Sequence, residues 1–320
     1  MNPGAPTTAK PAVPADPFSD ILRLTRAETV VAGGVTAGGA WAVRFPAFDK
    51  MKFFGLVKGG CWLSVEGEAR PFRIGEGDVV LLTGERAYVV ASDLDVPPTP
   101  AEALFQPHVS RLIQLGEGED CVHIGGNVRL DPLNGKLLAE VLPPVVHVKS
   151  DAREAPRLQW LLGELLRECL SDLPGANLAI AQIAQLLLVQ VLRAHLAESG
   201  GLASGWLRVL GDPRLAVALR MMHAEPGRDW TLAELARAAA MSRSAFAEKF
   251  REAAGVAPLA YLTQWRMRLG GQRLREGADP VAAVASDLGY GSESAFSHAF
   301  KRATGLSPRL YRAAARPVSG

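Results

Sequence analysis

Residues 289–300 read GYGSESAFSHAF, and the spacing of these side chains decides how the last third of the chain folds. Phe296 and Phe300 stand four apart and share one helical face, so both can be buried together. Ser294, Ser297 and His298 fall on the opposite face, and Lys301 extends that polar row by another turn. A helix of this kind has one anchored side and one side left for another task.

The same pattern recurs about 50 residues earlier. LAELARAAAMSRSAFAEKFREAAGVAPLAY, from Leu232, aligns with VAAVASDLGYGSESAFSHAFKRATGLSPRLY, from Val281. Leu232 matches Val281, Leu235 matches Val284 and Ala236 matches Ala285; one extra residue then enters near Gly291. Beyond it Ser242 matches Ser292, Phe246 matches Phe296, Phe250 matches Phe300, Gly255 matches Gly305, Pro258 matches Pro308 and Tyr261 matches Tyr311. Two copies are too few for a solenoid. Each predicts a short helix with a small residue at its crossing point, a tight turn and a second helix capped by serine, which is helix-turn-helix construction.

In each second helix one row faces outward: Ser244, Ala247, Glu248 and Arg251 in the first copy, Ser294, Ser297, His298 and Lys301 in the second. Both obey i, i+3, i+4, i+7 spacing. Short polar groups flanked by cations suit the major groove, where small side chains approach base edges and Arg or Lys meets phosphate. Candidate base readers are therefore Arg243, Ser244, Glu248, Glu293, Ser294, Ser297 and His298. Candidate phosphate contacts are Lys249, Arg251, Lys301, Arg302, Arg309 and Arg312. One helix, roughly YLTQWRMRLGGQRLREG from Tyr261, joins the copies, and would let them reach successive major-groove segments about 34 Å apart.

Helix-start signals punctuate this region. Asp212 precedes Pro213, a capping oxygen before proline at the first helical position. Thr231 and Glu234 form a capping-box pair, bracketed by Trp230 and Leu235. Asp279 and Pro280 repeat the first device.

Charge follows the same division. Residues 1–211 hold 19 Lys/Arg against 23 Asp/Glu, net −4, whereas residues 212–320 hold 16 against 10, net +6. A basic C-terminal module beside a mildly acidic larger part fits nucleic-acid binding.

The remaining 200 residues point elsewhere. The chain's 320 residues allow about two domains. Cys61, Cys121 and Cys169 are odd in number and far apart in sequence, which argues against a disulfide framework or a cysteine zinc site and for a cytoplasmic setting. Residues 1–17 are rich in Pro and Ala, with no basic region before an apolar run; they are expected to form a disordered leader and no signal peptide. From Thr29 to about His147, short β-type runs alternate with Gly, Pro and Asp turns: AWAVRFP, KFFGLVKGGCWLSVEG, ARPFRIGEGDVVLLT and RAYVVASD. Such spacing predicts an antiparallel sandwich or barrel. Two helices are expected next, about 154–170 with Leu158, Leu161, Leu162, Leu165 and Leu166 on one stripe, and about 177–198. The apolar run from Leu178 contains three glutamines and is expected to fall short of a membrane span. ESGGLASG, from Glu198, has linker composition.

Residues 212–312 resemble the DNA-binding domain of the AraC/XylS family of bacterial transcription regulators. The second copy, with its Gly-Tyr turn and its Gly-Leu-Ser-Pro-x-x-Tyr-Arg ending, resembles the family signature along nearly its whole length. The resemblance implies that the two helix-turn-helix units act as one DNA-binding module attached to an effector or dimerisation domain. The first copy departs from the pattern by placing Ala247 and Glu248 where larger or basic groups are common. The β-rich part resembles the cupin-like sensors of some AraC-type regulators, through KFFGLVKGGCWLSVEG, IGEGDVVLLTGERAYVVASD and LPPVVHV. Cupins often hold a metal with histidines from two strand segments. Here the first segment has no histidine and Ala87 and Tyr88 occupy the later place, so the resemblance implies a barrel without metal or cofactor.

These readings combine into an α+β multidomain chain. It has a cupin-like antiparallel β-barrel over 18–150, a helical dimerisation segment over 151–200, and an all-α tandem helix-turn-helix domain over 212–316 with units near 231–255 and 280–305. The function expected is a cytoplasmic, sequence-specific transcription regulator, an effector-responsive activator that does no chemistry. Its partners would be promoter DNA, a second copy of itself, RNA polymerase and a small effector of unknown identity, with no membrane. Trp41, Phe53, Trp62 and Tyr88 are the candidate effector-pocket residues. The scattered His108, His123 and His147 lack ligand spacing, and Glu66, Glu68 and Asp78 are expected to be solvated turn carboxylates. The rivals are a metal-dependent cupin enzyme with a partner-binding helical tail, which predicts bound iron, zinc or manganese, and an architectural DNA binder with no sensor role.

Overall fold

The computed structural model describes residues 15–105, 112–198 and 203–315. Among the described residues two compact units emerge: 25–203, and 15–24 together with 204–315. The expected leader therefore lies outside the described residues up to 14, as do His108 and residues 199–202 of the expected linker.

The first unit is β-rich. Its strands are β1 (Glu28–Ala37), β2 (Ala42–Phe45), β3 (Met51–Lys58), β4 (Gly60–Val65), β5 (Phe72–Gly75), β6 (Val79–Leu82), β7 (Tyr88–Ala91), β8 (Thr99–Pro100), β9 (Leu112–Leu115), β10 (Cys121–Arg129) and β11 (Val145–Val148). They form two sheets, ordered β11-β6-β3-β10-β1-β9 and β5-β4-β7-β2-β8. The expected cupin-like β domain is present, but as two sheets enclosing a core instead of one closed ring, and β1·β9 and β2·β8 pair in parallel. Alternation explains the core: Cys61, Leu63 and Val65 of β4 point inward with Leu56, Val80 and Val90, while the residues between them stay half exposed.

One sequence expectation changes here, and two cysteines distant in the chain meet. Cys61 and Cys121, distant in sequence, hydrogen-bond thiol to thiol inside this core; that bond, then burial, push Cys61 up, so it remains a thiol. Asp78 is no solvated turn carboxylate. It is buried, accepts from the N–H groups of Gly75 (3.0 Å) and Ser150 (2.7 Å), and lies 2.9 Å from His147 Nε2. Burial pushes its pKa up, but these hydrogen bonds outweigh it and hold the carboxyl below its ordinary value.

Short helices α2 (Ala101–Leu104) and α3 (Lys136–Ala139) interrupt the strands, and α4 (Ala155–Leu170) and α5 (Ala176–Ala197) follow them. The hairpin packs on the six-stranded sheet. Leu158, Leu161, Leu162 and Leu165 are buried, and Leu162 lies so close over Gly55 that a Cβ there would come within 2.4 Å of it. Gln185 on α5 ties to the start of β1, accepting from Thr29 N–H (3.1 Å) and donating to the carbonyl of Ala27 (2.9 Å). By length and composition α5 is apolar enough to cross a membrane, contrary to the sequence expectation, but half of its apolar window is buried inside the protein.

The second unit is helical. It comprises α1 (Pro17–Leu24), α6 (Trp206–Gly211), α7 (Pro213–Ala224), α8 (Leu232–Ala238), α9 (Arg243–Ala254), α10 (Pro258–Glu276), α11 (Val281–Asp287), α12 (Glu293–Thr304) and α13 (Pro308–Ala315). Although the sequence expectation put residue 18 onward with the β domain, α1 groups with these helices. Asp20 of α1 lies 3.2 Å from Nδ1 of the buried His223 on α7, whose Nε2 is 2.9 Å from the Tyr261 hydroxyl and whose ring stacks on Trp265 at 4.0 Å. Asp212 caps α7 as expected, accepting from Arg214 and Leu215 N–H. Thr231 and Glu234 complete a reciprocal capping box at α8. Asp279 does not cap α11: Pro280 is the cap residue, without a side-chain bond, and the Asp279 carboxylate instead takes the Arg273 guanidinium at 2.9 Å.

Candidate nucleic-acid interface

The two helix-turn-helix units are built alike down to single contacts. In the first turn Ala240 N–H donates to Arg237 and Met241 N–H to Ala236; in the second, Gly289 N–H donates to Ser286 and Tyr290 N–H to Ala285. Ser242 Oγ then caps α9 through Ala245 N–H (3.3 Å), and Ser292 Oγ caps α12 through Ala295 N–H (3.1 Å). Gly255 and Gly305 close both helices in the left-handed conformation.

Beneath each second helix lies a phenylalanine pair. Phe246 and Phe250 meet at 5.7 Å, Phe296 and Phe300 at 5.4 Å, and all four are fully buried. Tyr261 meets Phe250 edge-on at 5.9 Å, and Tyr311 meets Phe300 at 5.1 Å. The two pairs belong to separate cores. One takes in Leu215, Leu219, Trp230 and Leu262; the other takes in Met267, Leu274 and Val284. The helix α10 contributes to both. Its 19 residues span about 28 Å.

With the phenylalanines fixed inward, the opposite rows face solvent. Arg243, Ser244, Glu248 and Arg251 are exposed on α9, as are Ser294, His298 and Lys301 on α12; Ala247, Ser297 and Glu293 are half exposed.

The expected phosphate contacts divide. Arg251, Lys301 and Arg302 are exposed and, among the described residues, form no ion pair. Lys249 instead turns to the Asp212 carboxylate that caps α7. Arg312 donates to the Asp279 carbonyl, and Arg309 reaches Glu293 at 3.8 Å, the first residue of α12. Sequence spacing missed this engagement because each partner is remote in the chain, as with Lys249 and Asp212.

A family model described as Cupin matches residues 16–197, and one described as a helix-turn-helix domain matches residues 235–314. An AraC-like transcription regulator of Streptomyces antibioticus is 40% identical over 302 residues, covering 94% of this chain and 100% of its own. Another, from Streptomyces lividans, is 41% identical over 93% of this chain and 98% of its own. The chain is an AraC-type transcription regulator with an N-terminal cupin domain. A third relative, the HTH-type transcriptional regulator AlkR of Acinetobacter baylyi, is 30% identical over 92% of this chain and 96% of its own.

As an AraC-type regulator the protein binds DNA and is not an enzyme, which removes the metal-enzyme alternative. In its cupin unit, among the described residues, no three His, Cys, Asp or Glu side chains cluster to hold an ion. His147 is engaged with Asp78, while His123 is buried beside Trp41 (6.3 Å) and Phe54 (6.4 Å). Burial lowers the His123 pKa to about 4 and keeps its imidazole neutral.

The cupin unit of the regulator contains a cavity of about 430 Å³. Of the expected effector residues, Phe53 and Tyr88 line it and Trp41 and Trp62 do not; Trp62 lies 5.9 Å from the Arg73 guanidinium. Lys52, Phe45, Phe105, His123 and Asn127 also line it. Strand alternation offered a signal for one of these: Phe45 lies two residues from the buried Val43 on β2.

Proposed function

We propose that the regulator reads a specific operator with both helix-turn-helix units and that the state of its cupin unit sets how well it does so. Ser294, Ser297 and His298 on α12, with Arg243, Ser244 and Glu248 on α9, meet base edges; Arg251, Lys301 and Arg302 meet phosphates. The observation that carries this reading is the duplication itself: two equivalent phenylalanine-anchored helices, in one compact unit, each turn an exposed polar row ending in a cation outward. Glu293 and Arg309 are expected to separate when Arg309 finds a phosphate, since an exposed pair at 3.8 Å holds weakly.

The active form is a homodimer. Trp160, Leu170, Leu173, Leu178 and Leu186 of the α4–α5 region are exposed large apolar groups, which supports a second copy as their cover. A small molecule in the cupin cavity is the effector, and the outcome is activation through contact with RNA polymerase.

The test is selection of duplexes by the purified full chain from a random library, followed by footprinting. Two protected major-groove segments one helical turn apart support the proposal. Uniform retention of all sequences, or no binding even at low salt, refutes it.

A further inference from the structure

Three features of the cupin cavity, taken together, describe what fits inside it. The first is a bare backbone floor. Gly33 and Gly34 on β1 and Gly125 and Gly126 on β10 all line the cavity, and Gly33 pairs with Gly125 in the ladder. On the cavity side of β10 no side chain could rise: a Cβ on Gly125, which faces inward with His123 and Asn127, would come within 2.7 Å of the Phe53 carbonyl and 3.0 Å of the Phe54 side chain. Glycine inside a strand marks such close approach by another body. Flat peptide faces favour a flat guest.

The second feature is a layered aromatic wall. Phe45, Tyr88 and Phe54 lie nearly parallel, Phe45 on Tyr88 at 4.7 Å and 10°, and Tyr88 by Phe54 at 6.1 Å and 11°. Phe105 joins Phe45 at 5.7 Å. Such a wall continues naturally into another ring.

The third is a polar corner on neighbouring strands. Lys52 of β3 is the ladder partner of Asn127 of β10, and both line the cavity. Among the described residues Lys52 has no carboxylate partner; its ammonium rests on the Phe48 ring at 3.8 Å. Glu102, also in the lining, is solvent-exposed and forms no ion pair with it. The Asn127 oxygen is buried without a hydrogen-bond partner. Its amide can turn either oxygen or NH2 to a guest. Burial first, and Lys50 second, lower the Lys52 pKa, a condition that an anion would relieve.

We infer that this cavity binds a planar aromatic acid, its rings between the glycine floor and the Phe45–Tyr88–Phe54 wall and its acidic group between Lys52 and Asn127. The inference rests on the proposed sensor role only for its consequence on DNA; the ligand class stands on the cavity.

Isothermal titration of the full chain with 2-naphthoate, neutral 2-naphthamide and cationic 2-naphthylmethylammonium tests it. Naphthoate is expected to bind at least tenfold more tightly than the amide, and the cation most weakly. In Lys52→Met the naphthoate affinity should fall about tenfold to that of the amide, whose own affinity stays unchanged. Phe45→Ala should weaken both, and decahydro-2-naphthoate, acidic but not flat, should bind less tightly than naphthoate. Equal affinity for the three charge types, indifference to Lys52→Met or Phe45→Ala, or no binding by any of them overturns the inference. Duplex affinity measured in parallel separates the two readings: naphthoate bound with duplex affinity unmoved removes the sensor role and leaves the ligand class standing, and duplex binding without naphthoate binding does the reverse.

Discussion

Ala240 and Gly289 occupy the same left-handed place in the two helix-turn-helix turns, at φ of 53° and 79°. Only the glycine suits it, because a Cβ strains that conformation by about 1–2 kcal/mol. Ala240→Gly should therefore stabilise the first unit by about 1 kcal/mol, part of the relief being offset by glycine's greater freedom when unfolded. Gly289→Ala should destabilise the second by more, since its Cβ would come within 2.1 Å of the Gly227 carbonyl. Urea unfolding of both variants checks the opposite signs.

Arg251 and Lys301 end the two exposed rows, while Lys249 is held by Asp212. Arg251→Ala and Lys301→Ala should each weaken binding to all duplexes and lower the magnitude of the salt slope by about 1. Lys249→Ala should leave the slope unchanged. Binding isotherms over a range of salt concentrations decide, and a lowered slope for Lys249→Ala would return it to the phosphate contacts.

Changes at Ser294 or His298 should act differently. Each should redistribute preference among base pairs, by about 1–3 kcal/mol for a lost contact, with little change in salt slope. Competition between the selected operator and its single-base variants measures this.

Phe300 is fully buried in a core separate from that of Phe250. Phe300→Ala should cost about 3–5 kcal/mol. Amide exchange should rise in α11–α13 before α7–α9, and the footprint should shrink from two segments to one.

Much of this architecture was legible in the sequence, for local reasons. Helix faces, serine caps and the turn pattern depend on spacings of three or four residues, so Phe246, Phe250, Phe296 and Phe300 read as core directly. The errors lie where long-range partners decide. Asp279 has the form of a cap, yet Arg273 claims its carboxylate. Asp78 looks like a turn residue until Ser150 and His147 close over it. Lys52 and Asn127 become neighbours only through the β3–β10 ladder. Burial patterns also could not show that α1 joins the helical unit, because its partner His223 lies two hundred residues away.

Acid should weaken the cupin unit through His123. Its pKa is about 4 in the folded chain against an ordinary 6.5, so below pH 6.5 the unfolded chain binds a proton that the folded one refuses. Stability present above pH 6.5 is then lost as pH falls toward 4, by ~3 kcal/mol for this group. His195, which burial lowers against the pull of Glu198, likewise loses stability as pH falls below its ordinary value. Asp78, already lowered, loses its contribution only below the ordinary carboxylate range. His123→Phe should flatten the pH 4–6.5 profile of urea unfolding without abolishing it; an unchanged profile would mean that the ring accepts a proton in place.

The helix α10 gives both cores a wall, and this makes it a ruler. One residue added within it would turn everything downstream by about 100° and advance it by about 1.5 Å. The second row of contacts would then look away from the duplex. Under the proposed two-unit reading, operators for this protein are expected to keep a fixed phase between their two boxes, and a one-base-pair insertion between them should be tolerated only as far as the DNA can twist.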